Sequence, residues 1–152
     1  MQYTGAFGYF TLIVTICGLC GLYFCQLISL ASMTTQVAVS IFPAALFLIV
    51  AFAGFVVRLP SLPSWLGSWV PIISFARWGF QGLVINEFEN NGQIIFKEII
   101  PMDVPDPYRA FIENFGFEGY SKYDSLPVLM MCLAVLWLST VIPIRFVSFE
   151  RR

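Results

Sequence analysis

The chain has 152 residues, a net charge of −1, 59% apolar residues, four cysteines and no histidine. A soluble domain of that composition would expose far too much apolar surface, and the near-neutral charge balance gives no basis for a nucleic-acid partner. Without histidine, a Ser–His dyad, a His-based zinc site and a haem histidine are all excluded.

The charges are also segregated. Residues 1–57 and 125–144 contain no Asp, Glu, Lys or Arg. One such residue at the centre of a span costs roughly 2.5–3.5 kcal/mol on insertion, so runs this long suit a chain that sits in lipid. About 20 residues cross a hydrocarbon core of about 30 Å. The first predicted transmembrane helix covers residues 7–31. It is not a signal peptide, because no basic residue precedes it and the run exceeds an h-region of about 7–15 residues. Cys17, Cys20, Cys25 and Cys132 lie in apolar runs. They read as small packing residues, since a metal needs thiolates, which hydrocarbon disfavours. Residues 32–36 form a short polar turn, and a second helix is predicted over 37–57. Pro43 and Pro143 lie within spans, where kinks are expected. Gly18, Gly21, Ala44, Ala45, Ala51 and Gly54 offer small surfaces for close helix packing.

Residues 58–125 form a segment between spans. Its first half, 59–88, carries Trp65, Trp69, Phe75, Trp78 and Phe80 and is interrupted by Pro60, Pro63 and Pro71. The pattern predicts short helices, each opening after a Ser or Pro, that lie in or dip into the outer headgroup layer with tryptophans at the interface. Trp65 and Trp69 are interface anchors in this reading, and Arg77 and Glu87, ten residues apart and so not on one helical face, are structural residues of the same segment. Residues 89–124 are polar and predict a small extracellular cap, with a helix opening at Asp106-Pro107 and stopping at Gly116. The last transmembrane helix is predicted over 126–147 and a cytoplasmic tail over 148–152. Residues 58–124 carry five basic and eight acidic residues, whereas the C-terminal end has Arg145, Arg151 and Arg152 against Glu150. That asymmetry puts the tail in the cytoplasm and the long segment outside. The expected fold is thus an all-α membrane protein with three transmembrane helices, re-entrant or interfacial short helices, and an extracellular cap between the second and third.

Catalytic equipment is absent from this sequence. No carboxylate lies in a predicted span, as an intramembrane aspartyl protease or proton relay would need. Neither G-x-x-x-x-G-K-[ST] nor G-x-G-x-x-G occurs, so the chain is not expected to be an enzyme by itself or to hold a nucleotide, metal or other cofactor by those routes.

The stretch Gly54-Phe55-Val56-Val57-Arg58-Leu59-Pro60-Ser61-Leu62-Pro63-Ser64-Trp65-Leu66, followed by Ser74-Phe75-Ala76-Arg77-Trp78-Gly79-Phe80-Gln81-Gly82-Leu83-Val84-Ile85-Asn86-Glu87-Phe88, resembles the G (white/brown pigment and multidrug) subfamily of ATP-binding-cassette transporters. There a span ends in a Gly-apolar-apolar run, an Ile-Pro-x-Trp-Leu segment follows, and then Ser-x-x-Arg-Tyr-Gly-Phe-x-Ala-Leu-x-x-Asn-Glu-Phe. The resemblance implies the C-terminal half of a six-span membrane domain. Its first half and a cytoplasmic ATPase domain binding ATP and Mg would lie outside these residues, so Met1 would begin a fragment or truncated gene model. It implies a homo- or heterodimer in the plasma membrane or an endomembrane, moving hydrophobic or amphipathic molecules such as lipids, sterols or xenobiotics. By the same resemblance, Phe55 and Val56 would form a valve near the outer end of the middle span, and Pro43, Phe47 and Val50 would line the pathway. The sequence departs from the pattern at Arg58, where Asn is common, and in a cap without cysteines. The alternative is a non-transporting three-span scaffold or assembly subunit, in which the aromatic segment only anchors the chain at the interface.

Overall fold

The computed structural model describes residues 2–32, 34–54, 57, 63–69, 74–99, 117, 119 and 121–147. They form helices α1 (Gln2–Ala31), α2 (Thr35–Ala51), the single turn α3 (Ser64–Gly67), α4 (Phe75–Ile99) and α5 (Lys122–Val147). The described residues are all-α. Among them, two stretches are long and apolar enough to cross a bilayer, Gly5–Ala31 in α1 and Tyr123–Arg145 in α5, while Thr35–Ala51 is apolar but shorter.

Local chemistry sets the helix ends. At the end of α1, the Ser32 N–H and hydroxyl both donate to the Ile28 carbonyl, at 3.0 and 2.7 Å. Helix α2 opens on Thr34, whose extended backbone and side-chain oxygen, accepting from the Val37 N–H at 3.4 Å, make it the N-cap. The expected second span ran to residue 57, but α2 stops at Ala51. The Phe52 N–H donates to the Leu48 carbonyl and the Ala53 N–H to the Val50 carbonyl. Gly54 then turns left-handed at φ 97°, a conformation glycine adopts without steric cost. Seventeen residues extend about 25 Å, short of a hydrocarbon core of about 30 Å. Helix α5 opens on Ser121, whose N–H donates to the Asp124 carboxylate at 2.7 Å. This is the reciprocal half of a capping box, with a negative charge in the first turn.

A short helix opening after a Ser or Pro matches α3, which follows Pro63, whereas α4, which follows Ser74, is long. Helix α4 does not end at the expected boundary of 88 and 89, however. It continues for 25 residues to Ile99, because Glu89, Asn90, Asn91 and Gly92 include no proline to stop it. The helix expected over 106–116 lies outside the described residues.

The packing partners give the direction and depth of each helix. Along α4, Phe75 meets Phe24, Gly79 faces Cys17, Gly82 faces Tyr9, and the Asn86 amide donates to the Ala6 carbonyl at 3.1 Å. Helix α4 therefore runs antiparallel to α1. Tyr123 packs edge-on to Tyr9, and Ser125 lies against Gly82, so α5 runs parallel to α1 and packs directly against both α1 and α4. Phe24 is seven residues from the end of α1, about 10 Å at 1.5 Å per residue. Helix α4 thus begins well inside the apolar stretch of α1, deeper than a headgroup-layer helix. The main core joins Ile13, Ile16 and Cys20 of α1, Phe75 and Trp78 of α4, and Leu129 of α5.

Gly18 and Gly21, expected to pack helices, face open space, while Gly79 and Gly82 make the close approaches. A methyl on Gly79 would collide with the Cys17 side chain. Gly79→Ala should therefore lower the unfolding free energy by about 1–3 kcal/mol, whereas Gly18→Ala should be neutral or slightly stabilising. Thermal melting of the two variants in the same detergent tests this, and equal shifts would contradict it.

Candidate functional site

Outward-facing positions of α1, α2 and α5 are apolar: Phe10, Leu22, Val39, Ile41, Met130 and Trp137 are all exposed. Only 17% of the most apolar window of either long helix is buried. Hydroxyls on these helices are turned onto their own backbone. Thr11 donates to the Phe7 carbonyl, Thr15 to Thr11, Ser40 to Gln36 and Ser139 to Val135, each at 2.7–2.9 Å. In water such groups would be free to hydrate, whereas in hydrocarbon each must find a partner in the chain.

Polar side chains are instead concentrated inside, mostly on the first turns of α4. Ser74, Arg77, Gln81 and Asn86 are buried there, with Ser125 and Thr140 from α5. Ser74 links two elements. Its hydroxyl accepts from the Arg77 N–H at 3.3 Å, capping α4, and donates to the Ile49 carbonyl of α2 at 2.9 Å. The Arg77 guanidinium lies 4.7 Å from the centre of the Trp78 ring, so the aromatic face stabilises a cation held away from water. Gln81 is fully buried, and neither its amide nitrogen nor its amide oxygen has a hydrogen-bond partner.

Arg77 is thus buried at the depth of the α1 apolar stretch, while Glu87, nearly three turns further on, is exposed. Trp65 and Trp69 are exposed on and just after α3. Pro43, Phe47 and Val50 are all exposed and share one face of α2. The opposite face, carrying Phe42, Ala45, Leu46 and Ile49, turns toward the bundle. Phe55 and Val56 lie outside the described residues. Sequence reasoning missed Ser74, Gln81 and Asn86 as interior polar contacts. A serine directly before an apolar run is a recognisable cap signal, but no signal in the chain says which side of α4 is covered.

An all-α bundle with an apolar exterior, a few polar side chains buried between its helices and two stretches long and apolar enough to cross a bilayer fits an integral membrane protein. The profile of the ABC-2 type transporter membrane family matches residues 1–88, and the chain belongs to that family. It is 32% identical over 86 residues, 57% of its length, to ABC transporter G family member 7 of Arabidopsis thaliana, and 38% identical over 64 residues, 42% of its length, to ABC transporter G family member 1 of Dictyostelium discoideum. These matches span only 11% and 8% of the relatives' own lengths. The expected resemblance to G-subfamily transporters is met. The family is the membrane component of such transporters.

Two substitutions probe the interior. Ser74→Ala removes the cap and the bond to α2 and should cost about 1 kcal/mol, with Ser74→Thr recovering most of it. Gln81→Leu removes a buried, unpartnered amide at nearly constant volume and should raise stability by about 1–2 kcal/mol. Chemical denaturation in mixed micelles measures both. A loss of stability in Gln81→Leu would show that the amide is satisfied in the folded protein.

Proposed function

We propose that the chain is the C-terminal part of the transmembrane domain of an ATP-driven exporter of the G subfamily, moving hydrophobic or amphipathic molecules of the lipid, sterol or xenobiotic type. Its ABC-2 family match over residues 1–88 carries the reading. The charge-free helices support the substrate class, because a charged cargo would call for a charged partner along its route, and the spans offer none.

In this reading α1, α2 and α5 are three spans, α2 the shortest of them. Helix α4 is a re-entrant element whose last turns, from residue 89 on, enter an extracellular cap over residues 89–124, and the C-terminus is cytoplasmic. ATP and Mg act in a nucleotide-binding domain, which together with the first half of the membrane domain and a second transporter half makes the working homo- or heterodimer in the plasma membrane or an endomembrane. The face of α2 carrying Pro43, Phe47 and Val50 lines the pathway. It supports that role by being apolar, exposed and turned away from α1, α4 and α5. Phe55 and Val56 close the pathway as a valve just beyond it.

Phe47→Ala in the assembled transporter tests the assignment. Loss of an aromatic contact worth about 1 kcal/mol should lower efflux of an apolar fluorescent substrate roughly fivefold at equal surface expression. Val141→Ala, on the exposed side of α5, should leave efflux unchanged. Equal effects of the two variants would remove α2 from the pathway.

A further inference from the structure

Between α1, α2, α4 and α5 lies a cavity of about 350 Å³ lined by Phe24, Leu27, Ile49, Phe75, Met131, Cys132, Val135 and Leu136. Its floor is the Phe24–Phe75 pair, with ring centroids 6.3 Å apart. Its rim at Met131 and Val135 is open, these residues being 58% and 57% exposed. We propose that this cavity holds one acyl chain of a resident membrane phospholipid, wedged between α2 and α5.

Three observations select that occupant. First, the walls are hydrocarbon, aromatic ring or sulfur, so no headgroup, sugar or ion finds a partner there. Second, Met131, Cys132, Val135 and Leu136 sit at the middle of the Tyr123–Arg145 stretch, and Phe24 and Leu27 lie within Gly5–Ala31. At that depth the mouth opens onto lipid tails. Third, the size fits a chain and not a helix. A helix with side chains is about 10–12 Å across, whereas an apolar cavity of about 150 Å³ already takes benzene. A space of about 350 Å³ is slightly more than twice that and suits a slender hydrocarbon. The groove opens at Met131 and Val135, so a tail can enter it sideways and fill the space between α2 and α5. The lipid is a structural component at a site separate from the outward α2 face, and the proposal rests on the reading that α1 and α5 cross the membrane.

The test places the full chain in nanodiscs of phosphatidylcholine bearing a diazirine in the middle of one acyl chain. The labelled lipid is exchanged for unlabelled lipid before irradiation, and adducts are mapped by mass spectrometry. Adducts on Leu27, Met131 and Cys132 should persist after those on the outward residues Phe10 and Leu22 have washed out. Filling the cavity with Leu136→Trp, or with Cys132→Phe if the first variant does not fold, should abolish the persistent adducts and leave the exchangeable ones. Cavity adducts that wash out with those on Phe10, or that never form while Phe10 is labelled, would overturn the proposal. Absence of adducts on Phe10 and Leu22 before exchange would overturn the membrane reading beneath it.

Discussion

Helix α4 reaches the middle of the bundle because two of its residues have no side chain. Gly79 lets the backbone close onto Cys17 of α1, and Gly82 lets it close onto Ser125 of α5 and Tyr9 of α1. A methyl at Gly79 would displace the Cys17 thiol of α1, and one at Gly82 would require Ser125 of α5 and Tyr9 of α1 to give by a few tenths of an ångström. The antiparallel course along α1, the bond from Asn86 to Ala6 and the cap that ties Ser74 to Ile49 all depend on that approach. A glycine within a helix costs about 1 kcal/mol relative to alanine, and here close packing on two sides offsets it.

The placement of α4 explains the distribution of polarity. In hydrocarbon no water satisfies a polar group, so the chain must bury such groups or bond them to itself. Outward hydroxyls follow the second route, each bonding a carbonyl one turn back. Ser74, Arg77 and Asn86 follow the first and gather on α4, where neighbouring helices or an aromatic face receive them. Gln81 is buried without a partner, which makes the start of α4 the energetically most exposed part of the fold.

The two faces of α2 separate structure from function in the same way. Phe42, Ala45, Leu46 and Ile49 secure the helix, while Pro43, Phe47 and Val50 remain outward. The spacing of these three residues placed them on one face of a helix from sequence. Which face was free depended on where α1 and α4 stand.

The sequence by itself determined the all-helical class, the two long apolar helices to within a few residues, the short polar turn between the first two helices, and the family. Each follows from composition or from chemistry within one turn of the chain, where water or lipid and a few neighbours decide the outcome. Only the tertiary structure decided that α2 ends at Ala51, that α4 runs unbroken to Ile99, and that it begins beside Phe24. The same holds for the glycines: Gly79 and Gly82 make the close contacts, while Gly18 and Gly21 face open space. Those outcomes depend on which surfaces meet, and residues such as Gly79 and Cys17, 62 positions apart, carry no mark of one another until the chain has packed.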